Sequence, residues 1–363
     1  MTGNQDGIAN YEYIPSYSLS SNNSLYQFGN SYYNTYTPAP YFPNLKWEQT
    51  AATNAGLDFG LLNNRITGTI DYYYKNITNL LNRIYIPVGS NFTNIATVNI
   101  GSMINQGLEF SVSALAVKSQ DFSWELSYNI SYNKNKITKL TNEDKNPDFV
   151  GNQVGGIGGG TGNTIQVQTV GYPANSFLTL KQVYGKDGKP IEGLYNDLNR
   201  DGIISYPTDG YRYKSPFAPV TMGFSSTFNY QKWSLSLVAR ASIGNYMYNN
   251  VNSGQGVTKY ILHNPLMFLS NATTDIYNTN FVNPQYFSDI YVENASFLKL
   301  DNIGVGYNVG KLGSHITLRL NAYCQNVFVI TKYKGVDPEI YGGIDNNLYP
   351  RPRNYTIGAS MNF

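Results

Sequence analysis

The chain has a single cysteine, Cys324, and only two histidines, His263 and His315, in 363 residues. One thiol cannot build a disulfide framework. His263 lies in a long connection with no Ser, Cys or acidic motif beside it, and His315 lies in a short turn, so no nucleophile–base pair is legible and no catalytic residue is assigned. Charge is also scarce. Lys, Arg, Asp and Glu make up 13% of the chain, about half the ~25% of ordinary soluble domains. A net charge of +2 without a Lys/Arg cluster excludes a nucleic-acid partner held by a strong basic field. No apolar run approaches the ~18 residues that a transmembrane helix requires. If this chain enters a bilayer it must do so as a closed β-barrel, the other architecture that satisfies every backbone N–H and C=O in lipid.

Aromatic residues fill the gap, at 15% with 33 tyrosines, together with many Asn, Ser, Thr and Gly. The last strand shows their order. Tyr355, Ile357, Ala359, Met361 and Phe363 alternate with Thr356, Gly358, Ser360 and Asn362, and this period of two puts one row against lipid and the other in a lumen. Eight further segments read the same way. The first carries Ala51, Ala55, Leu57, Phe59 and Leu61 outward; the second Ile66, Ile70, Tyr72 and Tyr74; the third Leu108, Phe110, Val112, Ala114 and Ala116. The fourth is the most regular, with Phe122, Trp124, Leu126, Tyr128, Ile130 and Tyr132 against Ser123, Glu125, Ser127, Asn129, Ser131 and Asn133. The fifth and sixth flank Gln231-Lys232, with Phe224 and Phe228 on one side and Trp233 and Leu235 on the other. The seventh holds Ile303, Val305 and Tyr307, and the eighth Ile316, Leu318, Leu320, Ala322 and Cys324.

The connections alternate between tight turns and long loops, the latter expected at about 75–106, 134–219, 243–294 and 326–352. That polarity belongs to an outer-membrane barrel with short periplasmic turns. Residues 1–50, rich in Tyr, Asn and Ser, are expected to form a further extracellular loop region, with the barrel portion over 51–363. The segment 176–184 is expected as one arm of a hairpin within a loop, since one more spanning strand there would break the alternation. Nine strands leave two open edges, so the rest of the barrel must be supplied elsewhere. Met1-Thr-Gly-Asn-Gln has neither the basic region nor the apolar core of a signal peptide, which predicts a C-terminal piece of a longer protein.

Several phrases are similar to the C-terminal part of SusC/RagA-type TonB-dependent outer-membrane transporters: Leu45-Lys-Trp-Glu-Gln-Thr50, Ile70-Asp-Tyr-Tyr-Tyr74, Tyr195-Asn-Asp197-Leu-Asn199-Arg-Asp201-Gly202, Ala295-Ser-Phe-Leu-Lys-Leu300, Gln325-Asn-Val-Phe328 and Tyr333-Lys-Gly-Val-Asp337-Pro-Glu339. The resemblance spans the chain in order. It implies a transmembrane antiparallel β-barrel of 22 strands around a plug, of which this chain supplies the last nine or so while lacking the plug. It also implies import of an oligosaccharide or oligopeptide in the outer membrane of a Gram-negative bacterium, with a SusD-like surface lipoprotein and the TonB complex as partners. The readings that compete are a passive porin or adhesin-like barrel and, behind it, a secreted all-β carbohydrate-binding protein.

Two sites are legible. Asp197, Asn199 and Asp201, followed by Gly202, have the oxygen spacing of the first half of a calcium loop, although the twelfth position is Thr208, with Asp209 one beyond. A polar Asp/Asn/Gly turn explains the same residues, and both readings stand. Tyr355 and Phe363 match an outer-membrane assembly signal, or simply close the last lipid-facing strand. The glycine run over 155–162 lacks the Lys-Ser/Thr ending of a phosphate loop and reads as a flexible outer loop. The residues 142–148 and the Tyr-rich loops are expected to meet cargo or lipoprotein; the substrate-binding residues are not legible.

Overall fold

The computed structural model describes residues 1–8, 10–19, 25–85, 95–140, 149–262, 271–313 and 316–362. His263, His315, Phe363 and the stretch 142–148 fall outside the described residues. Nine long antiparallel strands form one sheet: β1 (Glu48–Leu61), β2 (Ile66–Tyr85), β3 (Ile95–Lys118), β4 (Phe122–Lys139), β5 (Val220–Tyr230), β6 (Trp233–Ile243), β7 (Phe297–Leu312), β8 (Ile316–Thr331) and β9 (Asn354–Asn362). They pair strictly in chain order, and the short strand Thr2–Asn4 adds to the outer edge of β1. No helix among the described residues is long and apolar enough to cross a membrane.

The register turns the alternation into continuous bands. Leu57, Ile70, Phe110, Ile130, Met222, Ala241, Leu298 and Ile330 stand side by side from β1 to β8. Leu57, Ile70, Leu298 and Ile330 are exposed, as an apolar belt facing lipid requires. Near the tight turns Phe122, Tyr230, Trp233 and Tyr307 form a row across β4 to β7. The Trp233 and Tyr307 rings lie 4.6 Å apart, and the Trp124 and Phe228 rings stack at 5.3 Å one position deeper. Aromatic rings at one rim of an apolar belt form the girdle of a membrane barrel.

Strand lengths depart from expectation at the loop end. β2 has 20 residues and β3 has 24, against the ~9–11 that cross a bilayer. The connection expected over about 75–106 is therefore largely paired strand. Alternation fails there because both faces have left the lipid, and Asn79, at φ +56°, sits where the register slips. β4, β6, β7 and β8 likewise set the other long connections at 140–219, 244–296 and 332–353. Bulges account for the remaining misread parities. Ala116 has no partner on β4, and Val117 pairs with Trp124, so Val117 takes the outward place expected for Ala116. Asp301 is an extra residue in β7 relative to β6, which moves the apolar row from odd positions at Ile303 to even ones at Leu300 and Leu298.

The densest packing is not in the sheet. Ile165, Phe177, Tyr248, Tyr291 and Val292 form a buried cluster, with Ile157, Tyr246, Phe287, Ile290 and Ile344 packed against it. All ten come from the three long connections, which fold together as a cap. Within it Thr164–Gln168 pairs with both Asn152–Gly156 and Ser176–Thr179, and Ile344–Asp345 runs parallel to Tyr248–Asn249. The segment at 176–184 divides: Ser176–Thr179 joins this small sheet, and Gln182–Tyr184 forms a hairpin with Pro190–Tyr195. In the first fifty residues Tyr17–Leu19 pairs with Tyr36–Pro38 and Leu25–Phe28 with Ser31–Asn34.

Candidate lumenal site

The inner row of the sheet is polar, and several of its groups satisfy one another, while the buried Asn105 Oδ1 has no hydrogen-bond partner among the described residues. The Thr69 and Ser111 hydroxyls are 2.8 Å apart, those of Ser113 and Ser127 2.9 Å apart, and the Tyr73 hydroxyl donates to Asn133 Oδ1 at 2.9 Å. Where the wall meets the cap, a cavity of about 850 Å³ opens between β3–β6 and the loops. Asn105, Asn133 and Asn135 line one side; Phe217, Arg240 and Tyr341 line others.

Six charged groups converge at its edge. Arg240 on β6 grips Asp301 with two bonds, Nε to Oδ2 at 2.6 Å and Nη2 to Oδ1 at 3.2 Å. The bulge that displaces Asp301 from the β6–β7 ladder turns its carboxylate toward this guanidinium. The other side of Arg240 pairs with Glu339 in the 332–353 loop, through Nη1 and through Nη2 to Oε2 at 2.9 Å. Glu339 Oε2 also accepts from Arg351 Nη1 at 2.8 Å and faces Lys299 Nζ at 3.6 Å. Arg351 Nε reaches Asp337 at 3.0 Å. Three cations meet three carboxylates, so the cluster is neutral as a whole. Burial pushes the Glu339 carboxyl up, but Arg240, Arg351 and Lys299 outweigh it and hold the group below its ordinary value.

The phrases shared with transporters now have physical roles. Asn326, at φ +54°, is the extra residue in β8 opposite the Asp301 bulge, and its amide donates to the Arg351 and Pro352 carbonyls at 2.8 and 3.3 Å. It thereby caps the entry to β9, whose pairing with β8 begins at Gln325. In Asp337-Pro338-Glu339 the Asp337 carboxylate accepts the Glu339 N–H at 2.9 Å. Tyr333 donates to buried Asp345 at 2.7 Å.

The calcium-like turn is well formed. Asp197 accepts from the N–H of Arg200 at 2.6 Å and of Gly202 at 2.8 Å, Asn199 Oδ1 from Asp201 N–H, and Asp201 from Ile203 N–H at 2.7 Å. Gly202 takes φ +85°, a conformation that admits glycine freely. The turn is closed by Asp209 rather than Thr208. Asp209 is fully buried, and its carboxylate accepts the N–H groups of Ser205, Leu198 and Asn199. Those bonds, Ser205 first, hold its pKa below the usual carboxylate range. Tyr355 stands exposed in β9, paired with Cys324.

Sequence reasoning missed the Arg240–Asp301–Glu339–Arg351 cluster. Its members lie on three different elements, and the one local signal was Arg240 and Lys299 on the lumenal parity of their strands.

A transmembrane-type sheet with one lipid-facing band, tight turns at one end and a packed loop cap at the other defines a bacterial outer-membrane barrel wall. The profile of the family described as TonB dependent receptor-like, beta-barrel matches residues 9–327, and the chain belongs to that family of receptors and is not an enzyme. Within it the chain is of the SusC/RagA type. It is 42% identical to the TonB-dependent receptor SusC of Bacteroides thetaiotaomicron over the whole chain and 37% of that protein. It is 30% identical to the TonB-dependent receptor P3 of Formosa agariphila over 88% of this chain and 34% of that one. The RagAB peptide transporter superposes with a TM-score of 0.76 at 26% identity, over all of this chain and 40% of the matched one. The chain thus spans little more than a third of the length of these relatives, and the sheet is part of a barrel.

Proposed function

We propose that this chain is the C-terminal portion of the barrel of an outer-membrane importer that takes up a large nutrient, an oligosaccharide or oligopeptide, with energy from TonB. The observation that carries the reading is the pairing of a lipid-facing apolar belt from β1 to β8 with loops that pack into one cap over a polar lumen. A passive pore has no use for so elaborate a cap, and a secreted binding protein would bury the belt. On this reading the remaining strands, the plug and the TonB-contacting segment come from the rest of the protein, and a SusD-like surface lipoprotein covers the cap. Tyr355 and Phe363 then serve as the signal read during membrane assembly. On the oxygen spacing of its first half, the Asp197–Asn199–Asp201 turn is the candidate for a calcium ion; in the structure its carboxylates accept backbone N–H groups, and no three acidic, His or Cys side chains among the described residues are gathered to share a metal.

The test is on native material. Outer membranes extracted in detergent should yield this chain together with a plug-bearing barrel portion and a surface lipoprotein, identified by mass spectrometry. Deleting its gene should abolish uptake of one class of oligomer. Recovery of the chain from the soluble fraction would reject the membrane assignment; uptake unaffected by loss of TonB would favour the passive pore.

A further inference from the structure

We propose that Glu339 is the positioning residue that fixes the 332–353 loop as a rigid wall of the lumenal cavity. This rests on the transporter reading only for its effect on uptake.

The loop is closed at its own neck and docked at the same atoms. Arg351 binds Asp337 and Glu339, twelve to fourteen residues earlier in the chain, and also reaches the Glu339 carbonyl at 3.2 Å. Through the same carboxylate the neck is held to the barrel by Arg240 and Lys299. The Lys299 side chain is 6% exposed, and Glu339 is its one ion-pair partner among the described residues. Glu339 is therefore shared by three cations, and the other two carboxylates of the cluster each serve one. Beyond the neck the loop touches both of the other long connections. Gln166 Nε2 donates to the Gly342 carbonyl at 2.6 Å, Ile344–Asp345 pairs with Tyr248–Asn249, and a Cβ on Gly343 would meet Pro216. Tyr341, almost wholly exposed, is held out at the cavity by this clamped backbone. A side chain that projects without support is useful for contact only if its backbone is immobile. Cargo then passes a fixed surface here, and opening of the cavity must come from another part of the molecule.

Hydrogen exchange on the intact receptor in detergent tests this. With Glu339→Gln, amides of peptides within 334–350 should exchange about tenfold faster or more, the size of effect expected when a charge network is lost, while those of β4, β5 and β6 keep their rates. Because Glu339→Gln strands Lys299, the pair Glu339→Gln with Lys299→Met serves as the second variant. It should restore the melting temperature toward wild type and leave the loop exchange fast. Uptake by both variants should fall when wild type transports. Unchanged loop exchange in both variants would overturn the positioning role. Faster loop exchange with normal uptake would overturn the rigid-wall role. Absence of uptake by wild type would count instead against the transporter reading.

Discussion

Ser226 is a hydroxyl in the wrong row. It lies on the outward parity of β5, between Leu126 and Leu237, yet it is buried. The Trp124 indole N–H donates to it at 3.0 Å, so two polar groups in an apolar band satisfy each other. Ser226→Ala removes the acceptor, and unfolding in detergent should show a loss of about 1 to 2 kcal/mol; Ser226→Thr should retain most of it. Glu339 gives the docking of the 332–353 loop an acid-sensitive component. Its folded pKa is depressed, so its stabilisation is fully present above the ordinary glutamate value of ~4.3 and drains away as pH falls through the lower folded value. Loop docking should thus survive mild acid and fail well below pH ~4, and Glu339→Gln should flatten that acid limb. Calcium added to chelator-treated receptor should raise its melting temperature, by an amount equivalent to about 3 kcal/mol at a hundredfold excess over Kd. Asp201→Ala should abolish the rise. An unchanged wild-type melting temperature would leave residues 197–209 as a polar turn.

At the level of elements, the alternation along each strand sets what a substitution costs. Leu126 faces lipid midway along the alternating stretch 122–132 of β4, and Ser127 beside it faces the lumen. Leu126→Arg should cost about 2 to 4 kcal/mol, as arginine at a bilayer midplane does, while Ser127→Arg should cost little. Comparing denaturant midpoints of the two in lipid vesicles checks the assignment. Strand identity and facing were legible in the sequence wherever lipid enforced period two, as in β4. They were not legible past the bilayer, where β2 and β3 run on as a paired ribbon, nor across Ala116 and Asp301. At a bulge one extra residue reverses every later side chain, and no local pattern announces it.

For the whole molecule, the open edges dominate. The outer edge of β9, and that of β1 beyond the short strand Thr2–Asn4, face no strand among the described residues, and in lipid each unpaired N–H or C=O costs several kcal/mol. Residues 1–363 expressed alone should therefore aggregate or bind detergent as mixed oligomers, whereas co-expression with the missing strands should rescue a monodisperse barrel. Size-exclusion chromatography with light scattering separates these outcomes.

Period-two hydrophobicity was sufficient for the class of fold, the nine strands, their order and the side that meets the membrane, because the bilayer is a uniform solvent and imposes one rule on every strand. The cap and its charge cluster obey no such rule. Arg240, Asp301, Glu339 and Arg351 are brought together by two bulges and a loop that folds back over the rim. Long-range closure of that kind depends on which distant groups can satisfy one another in three dimensions, and that is a property of the packed chain rather than of any segment within it.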